Sequence, residues 1–560
     1  MTSKKVNRTV LALLIIHIFL VVYSAWIHSP NPDEVAHLPC GMAIWRNGQF
    51  DLYAVNPPLV RLIAALPVLF TDAKLPHATA ALPRPEFEFG NRFLELNKND
   101  FRRYFFYARL ACIPFTVLGG LLCFLWAREL YGEVSGIAAL TLWCFSPNII
   151  SWGSTICPDL AATSLGLLAC YLFWKWLKYP TFSNMIYCGL ALGACELSKM
   201  TWIILYALWP AVWLIWMVCS GNSLKQYKET GKSLLVILFL SLYILNTLYL
   251  YEGTFSTLGS YHFQSDFFAR VQEKNVFGLN LRHLPLPVPA SYVVGMDIQK
   301  FDFESGKMDS YLLGKWSKQQ GWWYYYFVGM FVKVPTGTLL LLLLSFFFFF
   351  SRVRNKGFCL DSAVLLLPAL ALFVFVSSQY GFSRHFRYVL PVLPFLFISA
   401  GVVFIPANCK KWLYCPCFLL IWTAVSSITV FPHSFSYFNE LTGGPKHGHQ
   451  FLLDSSIDWQ QDLYLLRAWQ DENSRKGPLF VDYYGDNSPA LFGIKSAGKP
   501  SGYYISRNKT TPIVPGWYAV SIHELLHYTN NYSYLLDIEP VDRIGYSIYI
   551  FHIEPEKKSK

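Results

Sequence analysis

The stretch ARLACIPFTVLGGLLCFLW, residues 108–126, holds one charge, Arg109, in a run long enough to cross a bilayer. A spanning helix needs about 20 mostly apolar residues. Working outward, ten more such runs occur, at 10–27, 134–150, 158–177, 185–199, 200–218, 233–251, 328–350, 360–379, 386–404 and 412–431. The composition agrees: 54% of the residues are hydrophobic, 14% are charged, and the mean hydropathy is +0.33. Soluble domains carry about 25% charge, so this chain cannot solvate its own surface in water. Disordered, collagen-like and disulfide-scaffold classes fail on the same numbers. The expected fold is an α-helical polytopic membrane protein with about 11 transmembrane helices over residues 1–431.

Charge then orients the spans. With the amino terminus in the cytoplasm, the inner loops hold fourteen basic residues, from Lys4, Lys5 and Arg8 to Lys410 and Lys411, against four acidic ones. The outer loops 28–107 and 252–321 are balanced, with eight and seven residues of each sign. The net charge of +11 therefore lies on the cytoplasmic side or in the membrane, as the positive-inside rule asks, and implies no nucleic-acid partner. The apolar segment Pro57–Phe70 is too short to span, contains Arg61 and is interrupted by Pro67, so it reads as an interfacial or re-entrant helix.

Seven charges remain inside or at the ends of spans: Arg109, Lys199, Lys333, Arg384, Arg387, Asp159 and Glu196. Such charges are costly and tend to face a cavity or a partner. Structural pairing, for instance Glu196 with Lys199, is one reading. The other is a cation cluster for an anionic headgroup entering from the outer leaflet. The first outer loop adds Pro32-Asp33-Glu34 and then His37. A carboxylate there can take the proton of an acceptor hydroxyl while cations hold a departing phosphate. Together the two halves describe transfer of a phosphate-activated group.

The order of motifs is distinctive. Asp33-Glu34 is followed by Asn56-Pro57-Pro58-Leu59, Ala108-Arg109-Leu110, Ser146-Pro147, Pro158-Asp159 and Leu197-Ser198-Lys199. Later come Arg387-Tyr388-Val389-Leu390-Pro391, Tyr437-Phe438-Asn439-Glu440 and the run from Asp454 through Trp459 to Leu463. The set resembles the GT-C glycosyltransferases of the dolichyl-phosphate-mannose protein mannosyltransferase and aminoarabinose transferase type, over about residues 8–465. The resemblance implies a GT-C fold in a bacterial inner or plasma membrane and a polyprenyl- or dolichyl-phosphate sugar as donor. The acceptor would be a protein, lipid or polysaccharide, and the transfer inverting. It assigns the base to Asp33, the second acidic position to Glu34 and a site-shaping role to Asp159. Lys199, Arg384 and Arg387 fall where relatives bind the lipid phosphate; His37, Arg61, Arg109 and Tyr388 complete the expected substrate-binding set. The stretch before the double proline, Phe50-Asp51-Leu52-Tyr53-Ala54-Val55, departs from the more polar one common in relatives, so acceptor contacts there do not carry over.

Residues 432–560 read as a separate small α/β domain on the outer side, with a helix over Asp458–Asp471 and strands at Pro478–Tyr484, Trp517–Ile522 and Ile544–Ile553. Its expected contribution is acceptor recognition. Asp454, Asp458 and Asp462 recur at helical spacing, which suits a polar helix face or a metal site. No metal-ligand spacing is otherwise present; the chemistry requires no cofactor and leaves a divalent cation open. The rival function is a transporter or flippase of lipid-linked glycans, against which stand the absent internal repeat and the placement of the charges at one face.

Overall fold

The computed structural model describes residues 3–77, 84–276, 279–306, 309–318, 320–352, 354–379, 381, 383–405, 410–473, 477–485, 487–500, 504–506, 509–510 and 513–554. Among them, eight helices are long and apolar enough to span: Lys4–Ile27, Phe101–Tyr131, Pro158–Lys178, Met200–Ser220, Leu224–Leu248, Lys356–Ser378, Phe386–Phe404 and Lys411–Val430. Two helix pairs meet the same measure only when taken together and are sharply bent, Glu133–Cys144 with Pro147–Gly153 (59°) and Tyr325–Lys333 with Thr336–Arg352 (112°). Against about eleven expected, the described residues thus hold eight such helices, or ten if each bent pair is one span. The remaining segment forms Phe182–Glu196, which at 15 residues is too short by itself. Pro57–Phe70 does not span either; Leu59–Ala65 is helical and Pro67 ends it before the turn Val68–Phe70. The chain is a multi-pass integral membrane protein.

Packing inside the bundle uses glycine beside tryptophan. A Cβ on Gly119 would collide with the Trp143 ring, and one on Gly166 with the Trp202 ring. Close approach lets each buried indole N–H reach a helix carbonyl: Trp143 donates to Thr116 (2.9 Å) and Trp202 to Ala162 (2.8 Å). Leu11, Phe19, Phe239, Phe347 and Ile421 stay exposed on the helix exteriors, where acyl chains rather than water are their fitting solvent.

The two breaks are tied together. Each lies at a proline, Pro147 and Pro335, where an intrahelical bond is lost. Asn148 Nδ2 donates to the Lys333 carbonyl (2.7 Å), while Asn439 Nδ2 donates to the carbonyls of Phe331 (2.5 Å) and Val334 (2.9 Å). Side-chain amides thus satisfy backbone groups freed at the bend.

The C-terminal residues form a four-stranded sheet in the order Leu479–Asp482, Gly516–Ser521, Ile548–Ile553, Asp542–Ile544. The first pair is parallel (Leu479 opposite Trp517); the other pairs are antiparallel. Successive side chains of a strand face opposite ways. Trp517 and Ala519 pack in a core with Val35, Val60 and Phe93 of the loop 28–107. Tyr518 and Val520 belong to the core of the spanning helices. Residues 432–560 touch the rest of the chain directly: Phe492 meets Phe101 (5.7 Å between ring centres), Trp316 meets His523 (5.8 Å) and His385 meets Trp459 (4.9 Å). The helix is also shorter than expected and covers Leu463–Glu472.

Candidate active site

The Asp33-Glu34 pair is divided by the start of helix Pro32–Asn47. Asn31 is its N-cap: its side chain accepts from the Glu34 amide (3.0 Å), and the Glu34 carboxylate accepts from the Asn31 amide (3.0 Å). This capping box, with Pro32 at the first position, turns Glu34 inward. Arg109 meets it bidentately, Nε to Oε1 at 2.8 Å and Nη2 to Oε2 at 2.6 Å. Arg109 also donates to the carbonyls of Ala25, His28 and Ser29. Every donor of the guanidinium is used, and both partners are buried. Glu34, expected at a catalytic place, and Arg109, expected to bind substrate, thus hold each other in a buried pair, and neither lines the cavity described next.

Asp33 faces the other way, into a cavity of about 580 Å³. Its Oδ2 accepts from Arg387 Nη1 (2.5 Å) and from the Trp459 indole (3.0 Å). Asp159, second residue of helix Pro158–Lys178, also lines this cavity; its Oδ1 accepts from Lys199 Nζ at 2.6 Å, and its Oδ2 lies 3.9 Å from Arg387 Nε. Lys199 sits in the turn after Phe182–Glu196, held by the Leu59 amide donating to the Leu197 carbonyl (3.2 Å). The expected Glu196–Lys199 pair does not form: Glu196 instead accepts from the Tyr292 hydroxyl (2.8 Å). The Tyr388 ring lies 4.6 Å beneath the Lys199 ammonium, a cation–π contact. Arg387 stands over Trp152 and Trp459.

Of the expected residues, Asp33, His37, Asp159, Lys199, Arg384, Arg387 and Tyr388 share this cavity lining. Glu34, Arg61 and Arg109 lie outside it. Arg61 is buried and donates to the carbonyls of Asn56 (2.6 Å) and Tyr53 (2.7 Å), fixing the loop that presents those two side chains to the cavity. Lys333, the fifth cation of the cluster, is buried under the carbonyls of Phe435 (2.9 Å) and Ser456 (2.6 Å) and takes no part. His37 is held neutral, its pKa well below the ordinary value because of burial and then Arg61. Its ring lies 4.6 Å from that of Tyr53 at a tilt of 34°, and neither ring nitrogen has a hydrogen-bond partner.

The C-terminal residues supply a wall that the sequence reading left unassigned. Arg384 pairs with Asp454, which lies 3.2 Å from His523 Nε2. Burial disfavours the charge on each of these groups, but the triad overrules it. Asp454 is held below the usual carboxylate range and His523 is raised to about 9. Trp459 and Tyr484 stack at 5.2 Å, and both line the cavity. The signal for this wall lay in the Asp454–Leu463 motif, whose aromatic residue points at the acid. The helical spacing of Asp454, Asp458 and Asp462 is not realised, since the helix begins only at Leu463.

A second cavity of about 380 Å³ adjoins the first through Lys199, Gln299, Phe303 and Tyr388. Its lining is largely apolar, including Met200, Phe267, Met296 and Phe375. A polar chamber with paired cations thus opens onto a greasy one at Lys199.

Comparison with known proteins adds the following. The chain matches no curated protein. In global shape it is similar to ArnT from Cupriavidus metallidurans, both in the apo state (TM-score 0.46) and bound to undecaprenyl phosphate (TM-score 0.47), at 13% identity over 97% of each chain. The oligosaccharyltransferase of Archaeoglobus fulgidus in its apo form is similar at a TM-score of 0.44 and 14% identity, over 84% of this chain and 58% of that one. Residues 101–247 match the family of dolichyl-phosphate-mannose-protein mannosyltransferases. These residues, which are similar to that family, supply Arg109, Asp159 and Lys199.

Proposed function

We propose that this protein is a glycosyltransferase that moves a sugar from a polyprenyl-phosphate donor to an acceptor hydroxyl or amine. The observation that carries the reading is the meeting of Asp33 with Lys199, Arg384 and Arg387 at one cavity, beside an apolar chamber suited to a prenyl chain. Donor phosphate enters at Lys199 and Arg387. Both cations rest on carboxylates, Asp159 and Asp33, and the donor's phosphodiester monoanion, which gains a second charge as the sugar departs, competes for them. Drawing Arg387 toward phosphate releases the Asp33 carboxylate from its partner. The acceptor oxygen or nitrogen attacks the anomeric carbon as the bond from that carbon to the phosphate oxygen breaks. Asp33 takes the acceptor proton, and the polyprenyl phosphate leaves with the electron pair, stabilised by the two cations. A single in-line displacement inverts the anomeric centre. In this reading the cavity opens away from the cytoplasm, the amino terminus lies inside it, and the membrane is a bacterial plasma membrane.

Asp33→Asn tests the proposal in a transfer assay with a synthetic polyprenyl-phosphate sugar. Loss of the base is expected to lower the rate about 10²–10⁴-fold, with donor affinity retained. Full turnover in Asp33→Asn would overturn the assignment, and transbilayer movement of the lipid without sugar transfer would favour a flippase.

A further inference from the structure

Three polar atoms converge away from the cavity, where the first span ends. His28 follows the helix Ser3–Ile27, His433 follows Tyr414–Val430, and Asp462 precedes Leu463–Glu472. One ligand atom from each lies within 4.8 Å of the others. His28 Nε2 and Asp462 Oδ1 are 3.8 Å apart, too far for a direct hydrogen bond. These two atoms and His433 Nδ1 have no hydrogen-bond partner, although all three are buried. None of the three residues lines the cavity.

The surroundings fix the character of these atoms. His28 Nδ1 lies 3.0 Å from the Ser24 carbonyl. A carbonyl can only accept, so Nδ1 carries the proton and the neutral ring turns the lone pair of Nε2 toward Asp462. A lone pair facing a carboxylate oxygen is repulsive unless positive charge stands between them. The other carboxylate oxygen, Oδ2, is already held by Ser547 Oγ (2.6 Å) and Gln461 Nε2 (3.0 Å), which leaves Oδ1 aimed at the imidazoles. Gly545, at φ +59°, passes so close that a Cβ there would strike this carboxylate. A carbonyl fixing the imidazole tautomer and hydrogen bonds orienting the carboxylate are the outer partners that metal-binding histidines and carboxylates acquire.

We propose that His28, His433 and Asp462 bind one divalent transition-metal ion, with zinc the best match. Two imidazole nitrogens and a carboxylate oxygen are donors that zinc accepts, whereas calcium and magnesium need shells built from oxygen. Zinc holds such donors at about 2.0–2.2 Å, so the three residues close up slightly around it and leave a fourth position for water. The ion pins the end of the first span to the segment after the last span and to the start of the C-terminal helix. It acts as a staple, and the transfer chemistry does not pass through it.

The test is metal content, independent of activity. The full chain, purified in detergent, is loaded with zinc chloride, dialysed against metal-free buffer and measured by plasma mass spectrometry. The expected result is about one zinc per chain, reduced at least tenfold in His433→Gln and in Asp462→Asn. Cobalt(II) in place of zinc should give the visible bands of a low-coordinate site in the wild type and lose them in His433→Gln. The His433 position is only partly buried, so that variant reads the site even if Asp462→Asn does not fold. Wild-type protein that retains no zinc, or variants that retain as much as the wild type, would overturn the proposal.

Discussion

Asp33 and Glu34 are neighbours in sequence with opposite surroundings, and the difference is decided by one N-cap. Glu34 at the third helical position closes the capping box and meets Arg109, while Asp33 at the second points into the cavity. Breaking a buried ion pair by removing one partner typically costs about 3–5 kcal/mol, because the other charge is stranded. Glu34→Gln is therefore expected to lower stability by that amount, seen as an earlier thermal unfolding midpoint in detergent, with turnover per folded molecule retained. An unchanged midpoint with lost turnover would mean that Glu34 acts in the cavity after all. The chemistry of the pair was legible from residue type, but its division was not, since Asp-Glu does not announce which carboxylate faces solvent. The Asn31 cap before Pro32 was the available clue. Lys199 shows the same limit: helical spacing suggested Glu196 as partner, yet the helix ends at Glu196 and the turn beyond it carries the ammonium to Asp159.

At the level of elements, the spans were readable from apolar length, and their bends were not. Ser146-Pro147 and Val334-Pro335 sit inside runs that hydropathy alone treats as continuous. The one-turn helix Ile522–Leu525 is less visible still, but it places His523 against Asp454, with Glu524 3.5 Å from its other nitrogen and Arg384 behind the carboxylate. The His523 pKa is about 9 in the fold against an ordinary 6.5. A raised folded value means that the fold binds this proton more tightly than the unfolded chain does. The stabilisation is complete below pH 6.5 and drains away as pH rises through 9. Roughly 2–4 kcal/mol is at stake. The difference in unfolding midpoint between wild type and His523→Gln should be largest at the acidic end of that window and shrink across it. A gap constant with pH would remove the imidazolium from the argument.

On the scale of the whole molecule, the C-terminal residues are expected from the sequence to help recognise the acceptor. Direct contacts join them to the rest of the chain. Phe492 packs edge-on against Phe101 of the loop that carries Asp33, and Trp517, Ala519 and Ile550 share a hydrophobic cluster with Val35, Val60 and Phe93 of that loop, while Tyr518 and Val520 share that of the spanning helices. Alternation could be seen in the sequence; what each face would meet could not, because both partners lie hundreds of positions away. Removing 470–560 would strip His523 from Asp454 and uncover apolar side chains on the loop, each worth about 1.5–3 kcal/mol when fully buried. Truncation after residue 469 is therefore expected to abolish donor binding together with transfer and to leave an aggregating product. The measurement is binding of a labelled polyprenyl phosphate to truncated and full-length chains in matched detergent, alongside size-exclusion profiles. A monodisperse truncated protein that binds donor normally would show that the sheet is an appendage, and that the cavity is built by the membrane helices and the first loop alone.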